Sequence, residues 1–116
     1  MPLVKVLTSA KRSQEVKEAT VKELSAKVAG CIGKPESYMA AVLEDDAVIT
    51  FGGELGESAF VEVRSIGGLN PKVNNALARE ISACLQERFG INPARIYLNF
   101  FDVPAGSWAW KGSTFG

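Results

Sequence analysis

The chain has 116 residues, 47% of them hydrophobic, and Lys+Arg and Asp+Glu balance at 13 each. That length and apolar share fit one domain over residues 1–116 with a real core, and the even charge offers no basic surface for nucleic acid or an anionic membrane. Histidine is absent, which removes the usual acid–base side chain, any Ser-His-Asp or Cys-His arrangement and any His-ligated metal.

In chain order, Pro2–Thr8 reads as a strand that opens on an apolar run. Ser13–Gly30 reads as a helix capped by Ser13, with Glu15 and Glu18 at the positive end of its dipole. Val16, Thr20, Leu24 and Val28 recur every four residues and mark one face. Gly30 and Gly33 end the helix and Pro35 prevents its continuation. Tyr38–Glu44 is a second strand, Glu44-Asp45-Asp46 a turn, and Ala47–Phe51 a short third strand before Gly52-Gly53. The plan then recurs. Ala59–Ile66 is a strand, and Asn70 followed by Pro71 starts a helix whose apolar face is Val73, Leu77, Ile81 and Cys84/Leu85. Gly90 stops it, Arg95–Asp102 is a strand, and Ser107–Lys111 a short last one after the Pro104-Ala105-Gly106 turn.

A β-α-β-β unit thus occurs twice. Two right-handed β-α-β crossovers side by side give an α+β fold, a four-stranded mixed sheet with both helices on one face. The other face lacks cover, although Tyr38–Glu44 and Ile96–Phe101 are apolar on both alternating sets. Strands of that kind want cover on both sides, and a second copy of the chain is the natural cover. Lys5, Glu62, Arg64 and Asn99 place polar groups among the apolar ones, as around a wet central channel. The expectation is a homo-oligomer.

Cys31 and Cys84 form neither a Cys-x-x-C pair nor a four-ligand zinc pattern. Buried free thiols in a reducing compartment are expected. No apolar run spans a bilayer and no leader pattern is present, so the expected location is cytoplasmic, with leaderless secretion left open.

Pro2 is the residue with the most chemistry. Initiator methionine is normally trimmed before a small residue, and the chain would then begin with a secondary amine. An α-amino group titrates near ~7.7–8.0, and burial lowers that value. A prolyl amine beside an apolar pocket can therefore act as a general base near neutrality. With Met1 attached, the nitrogen is an amide and cannot. Proline is equally at home as the first residue of a strand. Several other residues have plain readings too. Lys34 fits a solvated last turn of a helix, Tyr38 and Tyr97 fit core or interface aromatics, and Ser65-Ile66-Gly67 fits a strand ending at a glycine turn. Asn99 is a polar group in an apolar strand and needs partners. Trp108 and Trp110 alternate, so both rings are expected on one face of a short strand.

Pro2, Gly33-Lys34-Pro35 with Tyr38, Phe51-Gly52-Gly53, Ser65-Ile66-Gly67, Arg95–Asp102, Trp110 and Ser113-Thr114-Phe115 stand in an order and spacing that resemble the macrophage migration inhibitory factor family of the tautomerase superfamily. The resemblance covers the whole chain. It implies a homotrimer with sheets around a central channel and sites between neighbouring subunits. It implies cofactor-free keto–enol tautomerisation of phenylpyruvate-like α-keto acids or dopachrome derivatives, with Pro2 as base and no metal. Lys34 matches the residue contacting substrate carboxylate or carbonyl, and Ile66 the residue whose backbone N–H donates to substrate. Tyr97 and Asn99 match residues from the adjacent subunit, and Tyr38, Trp110 and Phe115 the aromatic walls. Ser65 and Arg64 beside Ile66 complete the expected substrate-binding set.

The chain also departs from the family pattern. Ser58-Ala59-Phe60-Val61 stands where several relatives carry Cys-x-x-C, so thiol–disulfide activity is not implied. Arg64 replaces a frequent histidine, Trp108 a smaller aliphatic, and Phe100-Phe101 a pair of tyrosines. These changes bear on substrate preference. A cytokine-like binding or signalling trimer with a relic pocket is the alternative function, and receptor contacts find no clear match here. Decarboxylation or dehalogenation by a protonated Pro2 is a third, weaker reading.

Overall fold

The computed structural model describes residues Met1–Gly116. Strand β1 (Pro2–Thr8) leads into helix α1 (Gln14–Ile32), then β2 (Ala40–Glu44) and a small hairpin of β3 (Thr50–Phe51) and β4 (Glu54–Leu55). Strand β5 (Ala59–Ser65), helix α2 (Pro71–Phe89), β6 (Ile96–Asp102) and a second hairpin of β7 (Ala109–Trp110) and β8 (Ser113–Thr114) repeat the plan. The main sheet has the order β2-β1-β5-β6. β1 runs parallel to β2 and antiparallel to β5, and β5 runs parallel to β6. The doubled unit and the mixed α+β sheet are as the sequence predicts.

Both helices carry the expected caps. Ser13 and Asn70 side chains accept from the N–H groups of Val16 and Val73, and Gly33 and Gly90 close the C-termini in the left-handed conformation. Gly30 does not end α1, contrary to the sequence reading. The helix runs two residues further because Ile32 has a place in the core. The core lies between the helices and one sheet face. Val4, Val6, Val61 and Val63 meet Leu24, Val28, Leu77, Ile81, Leu85 and Phe89, all buried. Cys84 is buried in the same layer, Cys31 is half-buried, and both are free thiols.

Three other boundaries differ from expectation. Tyr38 does not open a strand. Residues Glu36–Tyr38 form a single 3₁₀ turn after Pro35, closed by the Met39 N–H donating to Glu36 O, and β2 starts at Ala40. The matching turn Pro93–Arg95 precedes β6. Ala47–Phe51 contributes only two residues to a strand. They pair with Glu54–Leu55 across Gly52-Gly53, whose φ values of 61° and 79° suit a two-residue hairpin loop. Likewise Ser107 belongs to a 3₁₀ turn and Trp108 caps it, so only Trp110 of the two tryptophans lies in β7.

The second sheet face is open. Strand pairing aligns its side chains in three rows: Ala40-Leu3-Arg64-Phe101, Val42-Lys5-Glu62-Asn99 and Glu44-Leu7-Phe60-Tyr97. The outer rows carry exposed aromatics, Tyr97 at 67% exposure above all, and the middle row is mostly polar.

Candidate active site

The end of the sheet where β1 begins collects most of the predicted residues. Pro2 pairs with Ser65, and Ser65 pairs with Asp102, so β1, β5 and β6 all meet there. The end of α1 comes to the same place. Gly33, at φ 79°, turns the chain out of the helix while its own N–H and that of Lys34 both donate to Ala29 O, at 2.9 and 3.0 Å. Pro35 then forbids further helix. The Gly-Lys-Pro sequence thus projects Lys34 across to the β5 end, where its Nζ donates to Ile66 O at 2.9 Å.

Ile66 also faces the chain start with its other backbone group. Its N–H donates to Met1 O at 3.3 Å. The loop that carries it continues through Gly67 and Gly68, at φ 70° and 81°. Gly68 has no room for a side chain: a Cβ there would lie 2.8 Å from Ile32 Cγ2. The loop is therefore packed directly on the end of α1, which keeps Lys34 and Ile66 together.

Two cavities flank the chain start. One, about 260 Å³, is lined by Met1, Pro2, Tyr38, Met39, Trp108 and Trp110 among others. The second, about 560 Å³, is lined by Met1, Lys34, Tyr38, Ile66, Trp110 and Phe115 with neighbouring small residues. Met1 stands between them. The aromatic wall is ordered: Tyr38 meets Trp110 edge-on at 5.7 Å between ring centroids, and Trp110 stacks with Phe115 at 6.5 Å. Lys111 Nζ sits 4.4 Å over the Trp110 ring, and Phe115 is fastened by its N–H to Trp108 O at 3.0 Å. Such a wall suits a flat apolar group and limits water.

The electrostatics of this corner act on the amine. The Met1 ammonium is held below its ordinary value, first by burial and then by the positive charge of Lys34.

The structure therefore brings Pro2, Lys34, Ile66, Tyr38, Trp110 and Phe115 to one place. Ser65 is buried behind them and its hydroxyl donates to Gly67 O at 2.7 Å, so it supports the loop and does not line either cavity. Arg64 lies on the open sheet face, 4.8 Å over the Phe101 ring and 3.3 Å from Glu62, beside a separate shallow cavity. Tyr97 and Asn99 are not at this end within one chain. Tyr97 pairs with Phe60, five residues from the Ser65–Asp102 pair, about 17 Å along the strand. It packs on Phe51 with centroids 4.7 Å apart, and Phe51 in turn carries Arg95. Met39 lines the smaller cavity, and the sequence reading did not single it out. It follows directly from Tyr38 lying in a turn instead of a strand.

A family model for macrophage migration inhibitory factor (MIF) matches residues 1–116. The chain belongs to this family. MIF from Meriones unguiculatus is 35% identical over 99% of each chain. Among solved structures, the MIF homologue from Prochlorococcus marinus is 35% identical with a TM-score of 0.94, covering 98% of this chain and 99% of its own. The MIF-like protein of Entamoeba histolytica has the same TM-score at 32% identity, covering 98% of both chains. The α+β fold described above is the MIF fold, and the resemblance drawn from the motifs is a family relationship along the full chain.

Proposed function

We propose that this protein is a cofactor-free tautomerase of aromatic α-keto acids or their enols, of the phenylpyruvate or dopachrome type, with the Pro2 amine as general base after Met1 is removed. The observation that carries the proposal is the hydrogen bond from the Ile66 N–H to the carbonyl attached to the Pro2 nitrogen, 3.3 Å long. That carbonyl oxygen stands in for a substrate oxygen: it lies one carbonyl group away from the nitrogen, faces a backbone donor and has Lys34 nearby. Removing Met1 frees the nitrogen, the N–H and the space between the two cavities together.

In the reaction, the Pro2 lone pair takes a proton from the carbon beside the substrate carbonyl. The C–H electrons form the new C=C bond and the carbonyl electrons move onto oxygen. Ile66 N–H and Lys34 stabilise that developing charge, where fixed donors are worth most. The prolinium then returns the proton to oxygen and gives the enol; ketonisation is the reverse. Burial and Lys34, which lower the pKa of the amine one residue earlier, act in the same direction on the Pro2 amine. The aromatic wall of Tyr38, Trp110 and Phe115 receives the ring.

The site is completed in a homotrimer. Tyr97 and Asn99 lie too far along the sheet to serve their own Pro2 and serve a neighbour's, in keeping with the family resemblance and with the open sheet face. Pro2→Gly is expected to lose most turnover of phenylpyruvate while the oligomer stays intact. Unchanged turnover in that variant would remove proline from the mechanism. A second reading, a binding or signalling trimer, is favoured by the way Met1 stands between the two cavities and occupies the Ile66 N–H. It holds if the natural protein keeps Met1.

A further inference from the structure

Ile66 presents two backbone groups to the site, its N–H to the Met1 carbonyl and its C=O to Lys34 Nζ. A single residue with both tasks has to be held from behind, and two left-handed glycines follow it. The hold is built from three hydrogen bonds. Ser65 Oγ donates to Gly67 O at 2.7 Å, Val103 N–H donates to Ser65 O at 2.9 Å, and Gly67 N–H donates to Asp102 Oδ1 at 2.9 Å. Strand pairing sets Asp102 opposite Ser65, so its carboxylate arrives beside the loop as a consequence of the register. Among these acceptors Asp102 alone offers a side-chain oxygen, so it is the one that a substitution can remove.

We propose that Asp102 is a positioning residue of this site. By fixing the Gly67 N–H it sets the Ile66–Gly67 peptide plane, whose other polar group, the Ile66 C=O, holds Lys34 Nζ, and so it positions the charged donor that meets the enolate oxygen. The inference rests on the tautomerase reading above. A donor aimed at developing charge contributes mainly in the transition state, so its misalignment lowers kcat more than it raises KM.

The test uses the full chain with Met1 removed, phenylpyruvate as substrate, and steady-state kinetics across pH. Asp102→Ala is expected to lower kcat by roughly ten- to a hundredfold, the scale of a small misplacement in an active site, with KM moving less than about threefold. Asp102→Asn keeps an oxygen acceptor and is expected to restore most of kcat. Asp102→Glu keeps the charge but shifts the oxygen, and should fall between the two; it also serves if the alanine variant does not assemble. The midpoint of the pH profile, set by the Pro2 amine, should stay in place in all three. Wild-type kinetics in Asp102→Ala would overturn the positioning role while leaving the tautomerase intact. Failure of asparagine to rescue, or a displaced pH midpoint, would also overturn it, since the carboxylate would then act by its charge. An inactive wild-type protein lacking Met1 would overturn both proposals together.

Discussion

The two faces of the main sheet are built from the same four strands and behave as different materials. On the covered face, alternate residues of β1 and β5 are valines in contact with helix leucines and isoleucines, all fully buried. On the open face, Leu3, Lys5 and Leu7 alternate with them along the same strand, and Phe60, Glu62 and Arg64 do so along β5. The first face supplies the cohesion of one chain, through burial of apolar side chains at about 1.5–3 kcal/mol each. The second mixes aromatics with a polar row, which is poor as a dry core and well suited to meeting other copies around water. On the reading proposed above, stability and assembly fall on opposite sides of one sheet, and the candidate active site sits at the sheet's end.

This division can be broken experimentally. Phe89, buried at the end of α2, should be the most sensitive position: Phe89→Ala is expected to lower unfolding stability by about 3–5 kcal/mol in urea titration. Loss below about 1 kcal/mol would mean that the covered face is not where the chain is held together. Phe60→Glu on the open face should have the opposite profile. It should dissociate the oligomer in sedimentation while the far-UV circular dichroism keeps its helical signature, because Phe60 takes no part in the core. A variant that stays assembled would remove this face from the interface.

A smaller effect is expected from acid. The Arg12 guanidinium, forked onto Glu57 at 2.8 and 2.9 Å, holds the Glu57 carboxyl below its ordinary range. The Arg12 backbone N–H, and then Lys17, do the same for Asp45. Since the folded values are depressed, the unfolded chain binds more protons in acid. The contribution is present above the ordinary carboxylate range, near ~4, and is lost as pH falls through the folded values. Melting temperature should therefore decline below about pH 4.5, and Arg12→Ala should flatten that decline.

Most of this arrangement is legible in the sequence. Helix caps, the doubled unit and the open face follow from Ser13, Asn70-Pro71, the glycines and the two-sided apolar strands. The candidate site residues of one chain enter through the family resemblance; from the residues alone Lys34 reads as a solvated helix end and Ser65-Ile66-Gly67 as a strand ending at a glycine turn, and the structure brings the two segments together. Most of what escapes is set by contacts distant in sequence, and Tyr38 by a local turn. Gly30 stays helical because Ile32, two residues on, finds a core position. Tyr38 turns instead of extending because Pro35 and the Met39 N–H close a 3₁₀ turn. Asp102 escapes because its partner, the Gly67 N–H, is 35 residues away and adjacent only through the β5–β6 register. An acid at the end of a strand predicted to pair beside a glycine turn is the signal that points to it.

The central claim is that a free, partly desolvated Pro2 amine beside Lys34 is the base. The most direct measurement is the phenylpyruvate tautomerase rate as a function of pH, on protein whose N-terminus is fixed by intact mass. The account predicts activity only in the form lacking Met1. It predicts a rate that rises with pH to a midpoint below the ordinary amine value of 8.0, and a midpoint moved upward by Lys34→Ala. Equal activity in the form that retains Met1, or a rate flat across the neutral range, would contradict it.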